Sequence, residues 1–136
     1  MEILFENNHF ILIDKPAGIL TIPSRNKNTS ERTVSSFFLN KRIWIIHRID
    51  REVSGVLLLA KTPEAHRIAN SWFEIRLVRK FYQALTEGVA NPWLLDHTVN
   101  WQSHILRGKK RTYEVSHAKG KLASTVATWK GSGVFK

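Results

Sequence analysis

His47-Arg48-Ile49-Asp50-Arg51-Glu52-Val53-Ser54-Gly55 runs straight into Val56-Leu57-Leu58-Leu59-Ala60-Lys61-Thr62. This charged stretch stands between two apolar runs, Ile43-Trp44-Ile45-Ile46 before it and Val56 to Ala60 after it. Both runs are short and rich in bulky or β-branched residues. No polar residue alternates within them, which is the pattern of strands buried on both faces. A loop held between two buried strands is a rigid mount for a carboxylate, and Asp50 is the candidate it presents.

Residues 2–6 and 9–14 are two short apolar segments joined at Asn7-Asn8. Asn tolerates left-handed backbone, so the pair predicts a tight hairpin turn. Lys15-Pro16-Ala17-Gly18 breaks the second segment, because Pro fixes φ and Gly permits a turn. A helix is expected from about Asn28, with Glu31 at capping-box spacing and Val34, Phe37 and Phe38 on one face, ending near Lys41. Thr62-Pro63-Glu64 is a second helix start, with a capping hydroxyl, Pro at the first helical position and an acid in the first turn. Ala65, Ile68, Ala69, Trp72 and Ile75 follow at core spacing; His66, Arg67, Asn70 and Arg76 fall opposite. Strand signals resume at 80–87, 94–100, 111–117 and 121–129, with a turn at Ala118-Lys119-Gly120 and a basic cluster at 107–111. Helices interleave early and strands dominate late, which predicts an α+β domain with helices on a mixed, largely antiparallel sheet.

The totals narrow the function classes. One domain of 136 residues is long enough to bury a real core. A formal net charge of +10 implies an anionic partner, nucleic acid first, although a basic protein without a specific polyanion has the same composition. The absence of cysteine excludes disulfides, thiolate metal sites and cysteine nucleophiles, and fits a cytoplasmic protein. No apolar run approaches the roughly 18 residues of a membrane span. The N-terminal residues lack the basic region of a signal peptide.

Taken alone, Asp50 is one carboxylate between Arg48 and Arg51. Such a group acts as nucleophile or base, or simply pairs with arginine, and an Asp in a loop is more often a turn or cap residue. His47 by default is a buried, hydrogen-bonded histidine, and Ser54-Gly55 a plain turn.

Four stretches, taken in order, nevertheless resemble the RluA-type pseudouridine synthases. They are Phe5 to Gly18, with Asp14-Lys15-Pro16-Ala17-Gly18 at its end; His47 to Gly55, continuing through Ala60-Lys61-Thr62; Lys80-Phe81-Tyr82-Gln83-Ala84-Leu85; and Gly120-Lys121-Leu122-Ala123-Ser124-Thr125. The second is the most specific. The resemblance covers nearly all of the chain. It implies a pseudouridine-synthase-like sheet and an isomerase that converts uridine to pseudouridine in rRNA or tRNA, with no cofactor and no metal. In that reaction the bond from ribose C1′ to base N1 is cut, the base turns, and C1′ bonds to C5. The resemblance makes Asp50 the catalytic carboxylate, acting on C1′ or removing a ribose proton. It lays the Tyr82 ring on the uracil, with its hydroxyl near the C5 proton. The target base must leave its stack, at a cost of a few kcal/mol. Arg48 is the side chain that would enter the vacated space. His47, Lys80 and Arg25 are substrate-binding candidates; Lys80, Arg25 and the 107–111 cluster would meet phosphates, which position RNA without reading sequence.

Two departures stand out. Val53 occupies a position where the family usually has Thr. Residues 121–136 lead toward, and stop before, a motif near Thr-Gly-Arg-x-His-Gln-Ile-Arg, whose first arginine pairs with the catalytic aspartate. The expectation is therefore a partial catalytic domain over 1–136, lacking its last strands, with exposed sheet edges prone to self-association. A non-catalytic RNA-binding remnant of the same family, and a structural basic protein, are the alternatives.

Overall fold

A computed structural model describes residues 1–23, 32–39, 41–85, 96–107, 113–115 and 120–130, in two compact units, Met1–Tyr82 and Gln83–Lys136. The sheet of the first unit has the order β1 (Glu2–Glu6), β2 (Phe10–Lys15), β4 (Gly55–Ala60), β3 (Trp44–Ile45), antiparallel throughout. Asn7 builds the first turn: its Oδ1 accepts the amides of His9 at 2.8 Å and Phe10 at 2.7 Å. This is the Asx geometry that makes Asn a turn residue.

In β2 and β4, Ile11 lies opposite Leu59 and Ile13 opposite Leu57. Side chains alternate along a strand, so these four share one face. All four are fully buried and form the core with Val34; Ile19, Phe38, Ile43 and Ile45 pack against them. Burial of each such side chain contributes roughly 1.5–3 kcal/mol. Phe10 and Ala60 are paired on the opposite face, where the Phe10 ring meets Trp72 with centroids 5.6 Å apart. The expectation of burial on both faces holds at this end of β4. It does not hold at Val56, which is 55% exposed at the other end.

The helix α1 spans Pro63–Glu74 and starts as expected: Thr62 Oγ1 accepts the Ala65 amide at 3.1 Å. It ends in a Schellman turn. Arg76, at φ 57, donates its amide to the Phe73 carbonyl, and Leu77 donates to Trp72. The buried stripe is rotated from the expected one. Ala65 and Ala69 are buried, but Ile68 and Ile75 are exposed. His66 instead turns inward, its Nε2 lying 3.1 Å from the Ile45 carbonyl oxygen, with Asn70 beside it. Small side chains at 65 and 69 let the helix approach β3 closely enough for that polar contact.

Of the helix expected over 28–41, the described residues contain a single 3-10 turn, Val34–Phe37. Asn28 and Glu31 lie outside the described residues. Val34 and Phe38 point into the core, whereas Phe37 is exposed; the backbone has left helical geometry by Phe38, at φ −115 and ψ 47. Of the strand expected over 80–87, residues 80–85 lie outside any helix or strand, with no ladder partner among the described residues, and 86 and 87 lie outside those residues. Strand formation needs a partner as well as a β-favouring sequence.

The second unit has β5 (Thr98–Arg107), β6 (Tyr113–Val115) and β7 (Lys121–Thr128) in the order β6-β5-β7, antiparallel. The long β5 thus separates the two strands that follow it. Gly120 is required at the start of β7: its φ is +123, and a Cβ there would lie 2.7 Å from the Ile105 carbonyl oxygen. Among the described residues no helix is long and apolar enough to cross a membrane.

Candidate active site

The loop between β3 and β4 is pinned at alternate residues. At its start, His47 Nε2 accepts the Leu58 amide at 3.1 Å. The imidazole thereby takes an amide of β4 just beyond the two residues where β3 pairs with it, and the chain turns away into the loop. The His47 ring also stacks on Phe73 of α1, with centroids 5.0 Å apart and an interplanar angle of 27°. Next, the Thr21 hydroxyl donates to the Ile49 carbonyl at 2.8 Å and accepts the Ile49 amide at 3.3 Å. Finally, the Arg51 carbonyl accepts the Gly18 amide at 2.7 Å and faces the Lys15 ammonium at 3.5 Å. Gly18 makes this approach in a turn at φ +85, a conformation that disfavours a Cβ.

Between those anchors Arg48 and Asp50 point to solvent, with side chains 68% and 74% exposed. They form a loose ion pair at 3.8 Å, which contributes little at such exposure. The Asp50 carbonyl accepts the Val53 amide at 3.2 Å, so the turn forms with Val at position 53.

Lys15 is fully buried beneath this loop. Its ammonium donates to the carbonyls of Ile19 at 2.8 Å and Pro16 at 3.0 Å. Burial lowers its pKa, and the nearby charges of Glu52 and Asp50 oppose that shift. Neither Lys15 nor Thr21 was among the sequence candidates. Strand periodicity was the available signal for Lys15, which continues the Ile11 and Ile13 face. Thr21 gave none, because its partner lies 28 residues away.

Tyr82 is 65% exposed and so is not a core aromatic; Lys80 is exposed as well. The charge of Lys80 reaches His47 and, after the larger effect of burial, helps to lower the imidazole pKa. Arg25 and residues 108–111 lie outside the described residues. The His47 ring is engaged by Leu58 and Phe73 at the root of the loop.

The lowered His47 pKa has a definite consequence for stability. Between the folded-state pKa and the unfolded value of 6.5, the unfolded chain binds the additional proton. Stability is therefore complete above 6.5 and falls as pH drops through that interval, by at most about 1.4 kcal/mol per pH unit. The urea midpoint is expected to be lower at pH 5.5 than at 7.5. The His47→Gln variant, which keeps an acceptor but does not titrate, is expected to show a smaller difference; an equal one would place the effect elsewhere.

The model of the RNA pseudouridylate synthase family matches residues 9–128. An RNA pseudouridine synthase of Zymomonas mobilis is 39% identical over 91 residues, covering 65% of this chain and 42% of the relative. The ribosomal large subunit pseudouridine synthase D of Pseudomonas aeruginosa is 33% identical over 95 residues, covering 65% of this chain and 30% of the relative. The match thus spans less than half the length of each of these relatives. The solved structure of human RNA pseudouridylate synthase domain containing 4 superposes with a TM-score of 0.66 at 18% identity, over 95% of this chain and 52% of that one, which is a likeness of fold. A family match running from β2 through the pinned loop to the end of β7, together with relatives of the RluA and RluD type, shows that the chain belongs to the RluA-type RNA pseudouridylate synthases.

Proposed function

We propose that this chain carries the catalytic aspartate of an RNA pseudouridine synthase, isomerising uridine in rRNA or tRNA in the cytoplasm. One observation carries the reading: Asp50 is presented to solvent on a backbone anchored at His47, Ile49 and Arg51. The names of relatives point to both substrate classes, large ribosomal subunit RNA and tRNA. In this reading Asp50 acts at ribose C1′ or on a ribose proton. Tyr82 lies against the uracil, and Arg48, exposed beside Asp50, fills the space left by the flipped base. Lys80 and Arg25 meet the backbone phosphates, and the +10 charge draws RNA to the chain. The reaction needs no cofactor and no metal.

Forming the C1′–C5 bond releases the C5 hydrogen to water. RNA tritiated at uridine C5 is therefore expected to lose label when mixed with stoichiometric protein. RNA binding that weakens steeply with salt, without label release and unaffected by Asp50→Ala, would instead support a non-catalytic RNA-binding remnant.

Self-association belongs to the same reading. The outer strand β1 exposes Ile3, Leu4 and Phe5, and an apolar edge invites pairing with a second copy. Sizing chromatography is expected to show an apparent mass that rises with concentration; a constant monomer peak dismisses this part of the proposal.

A further inference from the structure

The Thr21 side chain occupies a position that its chemistry, rather than its volume, explains. It is 3% exposed, and Val would fill the same space without burying a hydroxyl. Ile49 presents one donor and one acceptor to it, and a hydroxyl is a small group that answers both. The Ile49 amide belongs to the peptide plane shared with Arg48. The Ile49 carbonyl belongs to the plane shared with Asp50. One hydroxyl therefore sets both planes that flank Ile49, and with them the directions in which Arg48 and Asp50 leave the backbone.

Thr21 is itself tied to the core. The adjacent Leu20 donates its amide to the Arg32 carbonyl at 3.1 Å and accepts the Val34 amide at 2.9 Å. Val34 is fully buried against Ile11, Ile13, Leu57 and Leu59. The connection runs from the packed core through Leu20 and Thr21 to Ile49, and so to the exposed pair.

We propose that Thr21 is a positioning residue, whose hydroxyl aims Asp50 and Arg48 at the flipped nucleotide. The proposal rests on Asp50 being the reacting carboxylate. It predicts that removing the hydroxyl slows chemistry without weakening RNA binding, because Thr21 is buried and offers nothing to the phosphates.

The test compares Thr21→Val and Thr21→Ser in the full chain, at denaturant-free conditions where each is folded. Single-turnover tritium release is expected to slow roughly ten- to a hundredfold in Thr21→Val, the size of effect that a misplaced reacting group produces. RNA affinity is expected to stay at the parent value, and Thr21→Ser to recover most of the rate. A parent-like rate in Thr21→Val, a Thr21→Ser variant as slow as the Val form, or affinity lost in step with rate would each overturn the proposal. Amide hydrogen exchange supplies a readout independent of activity. Ile49 is expected to lose protection in Thr21→Val and to keep it in Thr21→Ser; unchanged protection in Thr21→Val overturns the proposal. If the parent chain releases no tritium, the functional reading fails, while exchange at Ile49 still decides whether Thr21 holds the loop.

Discussion

Replacing Asp50 by Asn is expected to slow tritium release by roughly a thousandfold or more, the scale of loss when a central reacting group is neutralised. The fold should not notice. The Asp50 side chain is 74% exposed, and its ion pair with Arg48 is long and solvated, so stability should change by less than about 0.5 kcal/mol. RNA affinity should be unchanged or slightly higher, because one negative charge facing a polyanion has been removed. The amide has the carboxylate's shape, yet it neither attacks a carbon effectively nor accepts a ribose proton. Asp50→Glu adds a sharper requirement. The backbone on both sides is pinned, so the extra methylene displaces the carboxylate by more than 1 Å, and a loss of about a hundredfold is expected. An Asp50→Asn variant with normal label release would remove Asp50 from the chemistry; a variant that loses RNA affinity to the same degree as rate would make it a binding residue.

Local signals in the sequence placed much of this architecture, while contacts between distant segments did not show. Thr62-Pro63-Glu64 announced α1 because capping chemistry is local, and Asn7 announced its turn for the same reason. The apolar runs at 43–46 and 56–60 marked β3 and β4, and the charged stretch between them is the exposed loop. The inward turn of His66 was hidden because it depends on the Ile45 carbonyl, and helical periodicity alone favoured Ile68 and Ile75. Residues 80–85 have strand-favouring side chains without a ladder among the described residues. In the candidate site, the exposed polar loop that carries Asp50 and Arg48 was legible from the apolar runs on either side of it. The orientation of His47 was not, since it needs both Leu58 and Phe73. Lys15 was legible in principle, but lysine at a buried strand position runs against the usual preference of its ammonium for water.

Lys15 gives the largest expected effect on stability. Lys15→Met keeps the stem that continues the Ile11 and Ile13 face and deletes the ammonium, at an expected cost of about 2–3 kcal/mol. Two of the carbonyls it serves, Pro16 and Ile19, belong to the turn that wraps around it, and both bonds are short. The third, Arg51, lies at 3.5 Å in the Asp50 loop. Without the ammonium, the part-buried carbonyls of Pro16 and Ile19 lose a charged donor, and an unpaired group costs roughly 1–3 kcal/mol when water cannot replace the partner. Relief from burying a charge offsets part of that loss, as the lowered Lys15 pKa indicates. The net is therefore smaller than the sum of the lost bonds. The loop should keep its position in molecules that remain folded, because the Gly18 amide still holds the Arg51 carbonyl at 2.7 Å and Thr21 still holds Ile49. The expected result is a clear fall in the urea midpoint with tritium release per folded molecule within about tenfold of the parent. A parent-like midpoint would show that the ammonium is not needed to close the turn. A rate as low as that of Asp50→Asn in a folded Lys15→Met protein would show that the buried charge acts on the chemistry itself, through its field at Asp50.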